Sequence, residues 1–128
     1  MSESVRVMLP EEKVNQRIAE LGEEISKEFA GEPVHLICIL KGSVFFTCEL
    51  AKRITVPVTM DFMTVSSYGS GTTSSGNVKI KKDLDEDIAG KNVVVIEDII
   101  DTGRTLACLL EILKERNPKK LKLCTLLD

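Results

Sequence analysis

The stretch Val93-Val94-Val95-Ile96-Glu97-Asp98-Ile99-Ile100-Asp101-Thr102-Gly103-Arg104-Thr105 decides the fold. Four apolar β-branched residues in a row, with no polar alternation, describe a strand buried on both faces. Two adjacent carboxylates, Glu97 and Asp98, end it, and Asp101 follows three residues later. Thr102, Gly103 and Thr105 then place two hydroxyls and a glycine where a helix begins. Free N–H groups and the helix dipole favour a phosphate at such a point, and Gly103 lets the backbone come close. Ionised carboxylates can only accept hydrogen bonds. Beside a phosphate, the natural partner of Glu97 and Asp98 is a ribose diol, with Mg²⁺ offsetting the crowded negative charge. A solvated acidic turn with an N-capping threonine is the plainer reading, but three acids so close behind a buried strand argue against it.

Outward from this stretch, strands and helices alternate. Towards the C-terminus, Thr105 starts a helix with Leu106, Leu109, Leu110 and Leu113 on one face. Asn117-Pro118 stops it, and Leu121–Leu127 forms a last strand. Near the N-terminus, Pro10, Glu11 and Glu12 open a helix whose stripe is Val14, Ile18, Leu21, Ile25 and Phe29, with Gly31 ending it. His35–Leu40 is a second fully buried strand, Lys41-Gly42-Ser43 a tight connection, and Val44–Arg53 a helix with Phe45, Cys48 and Leu50 among its apolar positions. Val56, Val58, Met60 and Phe62 alternate with Thr55, Pro57, Thr59 and Asp61, which is strand periodicity; Pro57 marks an edge or a strand start. The polar, glycine-rich segment Ser66–Asn77 cannot pack a core, and Val78–Lys81 returns as a strand. The expected fold class is α/β: a mostly parallel central sheet flanked by helices, with a flexible antiparallel flap.

Composition narrows the function. Hydrophobic residues make up 43% and charged residues 29% of 128 residues, as in a single globular domain with one core. The net charge of −3 argues against a general nucleic-acid binder, which needs a basic face. No apolar run is long enough to span a membrane, and the N-terminus lacks a secretory pattern, so a cytoplasmic location is expected. Cys38, Cys48, Cys108 and Cys124 form no C-x-x-C pair and read as small buried thiols. His35 reads as a packed or hydrogen-bonded residue at a strand start. Lys79, Lys81 and Lys82, with Asp83, Asp85, Glu86 and Asp87, read as a solvated hairpin surface.

Residues 93–105 resemble the phosphoribosyl-pyrophosphate signature of type I phosphoribosyltransferases, and Glu-Asp-Ile-Ile-Asp-Thr-Gly-x-Thr is similar to the hypoxanthine-guanine branch. Leu40-Lys41-Gly42-Ser43 resembles that family's pyrophosphate loop. Ser67-Tyr68 with the following Gly/Ser/Thr tract resembles its long flexible loop. The resemblance runs from about Val5 to Asp128. It implies that Glu97 and Asp98 hold the ribose hydroxyls with Mg²⁺ nearby, and that Asp101 is the acid/base facing N7 of the purine. Thr102, Gly103, Arg104 and Thr105 would cradle the 5′-phosphate. Lys41-Gly42 would contact pyrophosphate through a peptide that in this family is often cis. Ser67 and Tyr68 would belong to a segment that closes over the reacting centre; from the residues alone, an ordinary loop is an equal reading.

The implied reaction moves the 5-phosphoribosyl group from phosphoribosyl pyrophosphate to hypoxanthine or guanine, in a homodimer or homotetramer. Family members continue beyond the strand matching Leu121–Leu127 with a base-gripping hood, which is expected to be missing from residues 1–128. Two other readings stay open: a non-catalytic regulator of the same fold that senses the donor or a nucleotide, and a xanthine or adenine phosphoribosyltransferase.

Overall fold

The structure, a computed structural model, describes residues 11–67, 78–99 and 104–127. In chain order these form α1 (Glu11–Glu28), β1 (Val34–Ile39), α2 (Val44–Ala51), β2 (Val58–Ser67), β3 (Val78–Lys82), β4 (Asn92–Ile99), α3 (Arg104–Lys114) and β5 (Lys120–Leu127). The strands make one five-stranded sheet in the order β3-β2-β1-β4-β5. β1 pairs parallel with both β2 and β4, and β4 pairs parallel with β5. β2 and β3 are antiparallel, so the expected excursion from the parallel pattern is present.

The continuous apolar runs explain the layering. Successive side chains on a strand point to opposite faces. Val34, Leu36, Val94 and Ile96 accordingly pack with Ile18, Leu21, Ile25, Phe46 and Leu50 of α1 and α2. Ile37, Ile39, Val93 and Val95 pack on the other face with Leu109 and Leu113 of α3. All six β1 residues are buried, as a strand with helices on both sides requires. Burying a leucine such as Leu109 or Leu113 contributes roughly 1.5–3 kcal/mol. α1 ends as read, with Gly31 at φ +82° just beyond Phe29. Gly22 lets α1 approach the end of α2: a Cβ there would lie 2.8 Å from Arg53 Cβ and 3.0 Å from its carbonyl oxygen.

Four side chains depart from the sequence expectation. Cys48 is exposed and Cys108 half-buried, whereas Cys38 and Cys124 are buried as expected. The reason is helical phase. Phe46 and Leu50 face the sheet, which turns Phe45, 84% exposed, and Cys48 outward. On β2, Asp61 was assigned to the polar, outward side yet is only 3% exposed. It accepts hydrogen bonds from the N–H groups of Phe62, Asp85 and Glu86 at 2.8–3.0 Å, so the segment leading out of β3 folds over it. That segment is otherwise mostly solvated, as read, although Asp83 forms a two-pronged bond with Arg116 at 2.8 and 3.0 Å.

Candidate active site

β1 is the point where the chain reverses its direction across the sheet. From it α2 leads along one face to β2, and on its other side β4 leads through α3 along the opposite face to β5. At such a switch the loops after the two central strands part, and a crevice opens outside their carboxyl ends. The register sets both ends level: Cys38 is paired with Ile96, so Ile39 and Glu97 are the next residues on adjacent strands.

On the β1 side, Leu40 N–H donates to Met63 O at 2.9 Å, and the Leu40–Lys41 peptide is cis. The cis bond thus falls just ahead of the Lys41-Gly42 pair named from the sequence. Lys41 and Gly42 are exposed, while Ser43 and Thr47 behind them are buried. On the β4 side, Val93 to Ile96 are no more than 1% exposed, and Glu97 then emerges half-buried where the strand leaves the core. Asp98 follows within β4, Arg104 opens α3, and Thr105 stands half-buried in its first turn. Asp101, Thr102 and Gly103 lie outside the described residues, as does Tyr68. Ser67 ends β2, four residues past the Met63 that pairs with Ile39. At ~3.3 Å per residue, the β2–β3 ribbon extends roughly 13 Å beyond the end of β1.

The sheet therefore brings the Lys41-Gly42 turn and the Glu97-Asp98 pair to one edge of one crevice. Carboxylates can only accept hydrogen bonds or ligate a hard cation, and a helix start favours an anion. Among the described residues, no three His, Cys, Asp or Glu side chains cluster to hold a metal ion. Mg²⁺ needs no such cage where a substrate supplies phosphate oxygens.

The resemblance puts Ser43 in the pyrophosphate loop without giving it a task of its own. Its only signal is position, directly after Lys41-Gly42 and ahead of a helix. The His35 reading holds: the ring is 2% exposed and its Nδ1 lies 2.7 Å from Thr59 Oγ1. His35 belongs instead to a concavity of about 540 Å³ at the amino ends of β1 and β4, lined also by Glu32, Thr59, Lys91, Asn92 and Lys119. None of the residues singled out for catalysis lies there, and its charges are already paired, Lys119 with Glu32 at 2.9 Å and Lys91 with Glu86 at 3.5 Å.

Comparison with known proteins agrees with this geometry. The phosphoribosyl transferase domain family matches residues 8–128. Hypoxanthine phosphoribosyltransferase of Buchnera aphidicola is 51% identical over 130 residues, which is all of this chain and 73% of the relative. Hypoxanthine-guanine phosphoribosyltransferase of Streptococcus thermophilus is 48% identical, over 96% of this chain and 68% of its own length. The crystal structure of a Bacillus anthracis hypoxanthine-guanine phosphoribosyltransferase superposes with a TM-score of 0.90 at 43% identity, covering 97% of this chain and 73% of that one.

Proposed function

Since this chain belongs to the phosphoribosyl transferase domain family, we propose that it transfers the 5-phosphoribosyl group from phosphoribosyl pyrophosphate to N9 of hypoxanthine or guanine. The bond from C1′ to the pyrophosphate oxygen breaks and a bond from C1′ to N9 forms. A purine nucleotide and pyrophosphate leave, and the purine gives up one proton. The observation that carries the reading is the switch point itself: the acids ending β4 stand level with the turn ending β1, on adjacent parallel strands. A donor with a ribose between two phosphate groups needs that spacing of acceptors and N–H donors.

Each residue then has a task. Glu97 and Asp98 accept hydrogen bonds from the ribose 2′- and 3′-hydroxyls. The N–H groups of Thr102, Gly103, Arg104 and Thr105, at the start of α3, hold the 5′-phosphate. Lys41-Gly42 offers backbone N–H groups to the pyrophosphate. Asp101 exchanges a proton with N7 and so adjusts the electron density of the attacking ring. Ser67 and Tyr68 begin the segment that shuts water out while C1′ carries positive charge. Glu97 and Asp98 would hold Mg²⁺, which would supply positive charge for the leaving pyrophosphate. The subunits assemble as a homodimer or homotetramer. Among the described residues, no helix is long and apolar enough to cross a membrane; the proposed location is the cytoplasm.

Calorimetric titration of the donor in the presence of Mg²⁺, followed by nucleotide assays with hypoxanthine, guanine, xanthine and adenine, tests the proposal. Binding with turnover of the 6-oxopurines supports it. Turnover of adenine alone replaces the acceptor, and no donor binding removes the assignment.

A further inference from the structure

Ser43 stands at the N-cap of α2, where a serine ordinarily turns its side-chain oxygen forward to accept from an N–H of the first helical turn. Here no side-chain cap bond forms. The hydroxyl turns backward and donates to the carbonyl oxygen of Ile39 at 2.6 Å. One side chain thereby ties the start of α2 to the last residue of β1 across Leu40, Lys41 and Gly42. Thr47 reinforces the tie, because its N–H and its Oγ1 both donate to Ser43 O at 2.8 Å. Val44 N–H closes the turn on Lys41 O at 3.2 Å, and Cys38 Sγ lies 3.4 Å from the Ser43 oxygen. Ser43 is 0% and Thr47 1% exposed, so no water can stand in for these bonds. Lys41 and Gly42, which they enclose, are exposed.

We infer that Ser43 is a positioning residue for the pyrophosphate end of the donor. Its hydroxyl fixes the Lys41-Gly42 turn in the form that presents N–H groups to the ligand, without touching the ligand itself. The inference rests on the functional reading above. A serine serving helix stability alone would cap α2. This one forgoes the cap and braces the turn. A turn ordered in advance loses less conformational freedom when its ligand arrives. The brace therefore acts on affinity for pyrophosphate and donor, and leaves recognition of the ribose 5-phosphate end unchanged.

The test is calorimetry on the full chain with three probes: Mg²⁺-pyrophosphate, phosphoribosyl pyrophosphate with Mg²⁺, and ribose 5-phosphate. Ser43→Ala is expected to weaken the first two about tenfold and to leave the third within about twofold, with a lowered Tm because Ile39 O loses its buried donor. Ser43→Thr keeps the hydroxyl but adds a methyl in a fully buried position. It is expected to hold pyrophosphate within about threefold of the parent while its Tm falls. Tm would then fall in both variants, and pyrophosphate affinity only in the one that lacks the hydroxyl. Parent-like pyrophosphate binding by Ser43→Ala overturns the inference and leaves the functional reading standing. So does a loss by Ser43→Thr that matches its loss of Tm. A parent chain that binds neither pyrophosphate nor donor removes the functional reading and this inference with it.

Discussion

The two ends of the same pair of central strands are built on opposite principles. At the amino ends of β1 and β4, side chains lock onto one another. Asn92 Nδ2 donates to Glu32 Oε1 at 2.8 Å and to Pro33 O at 3.2 Å, Lys119 pairs with Glu32, and His35 meets Thr59. At the carboxyl ends the strands stop at exposed Lys41-Gly42 and at consecutive acids, Glu97 and Asp98. At the amino end most of these polar groups bond within the fold, although His35 Nε2 and Asn92 Oδ1 are buried without a hydrogen-bond partner. Substitutions at the two ends should separate stability from activity.

The largest separation is expected from Asp101→Asn. It should lower turnover by ~10²–10⁴ with donor affinity nearly unchanged, because only a proton transfer is removed. Steady-state kinetics beside donor calorimetry reads this directly, and equal losses in kcat and affinity would contradict the acid/base role. Next is Leu109→Ala in α3, under the β4 crossover. The side chain is 0% exposed, so the loss is expected to be about 2–5 kcal/mol in urea unfolding. Asn92→Ala at the locked end should cost about 1–2 kcal/mol by removing two donors, one of them to a carboxylate. Turnover per folded molecule should stay as it was. A fall in kcat for Asn92→Ala comparable to that for Asp101→Asn would erase the distinction between the ends.

That distinction was legible from the sequence on one side only. The runs Val93–Ile96 and His35–Ile39 announce strands covered on both faces, and the acids after Ile96 announce where a ligand belongs, because both signals are local. Asp61 was misread because its partners, the N–H groups of Asp85 and Glu86, stand 24 and 25 residues away. Asn92 gives no local signal for the same reason, its partner Glu32 lying 60 positions earlier. The direction of the Ser43 hydroxyl depends on how Leu40-Lys41-Gly42 bends, and no pattern of residue types encodes that. Phe45 shows the limit of helical phase in a helix of only eight residues: five aromatic or aliphatic side chains in α2 leave more than one face to bury.

The smallest effect sharpens the comparison by pH. His35 is held below its ordinary 6.5, first by burial, then by Lys91, with Asp61 and Glu86 pulling the other way. The unfolded chain therefore binds a proton near pH 6 more readily than the folded one. Stability from this group rises with pH between its folded value and 6.5, and is lost as the pH falls through that window. Glu32 is lowered from 4.5, first by its bond from Asn92 and then by Lys119; Asp83 is lowered from 3.8, chiefly by its bonds from Arg116. Their stabilisation is present above those ordinary values and declines only as the pH drops below them, so the windows do not overlap. Tm should thus fall modestly between pH 7.5 and 5.5 in the parent and stay flatter in His35→Gln. His35 is the only histidine in the chain, so its imidazole resonances can be followed without assignment. A titration midpoint at or above 6.5 would mean that the ring is hydrated or facing an unpaired acid, and that burial does not hold it below its ordinary value.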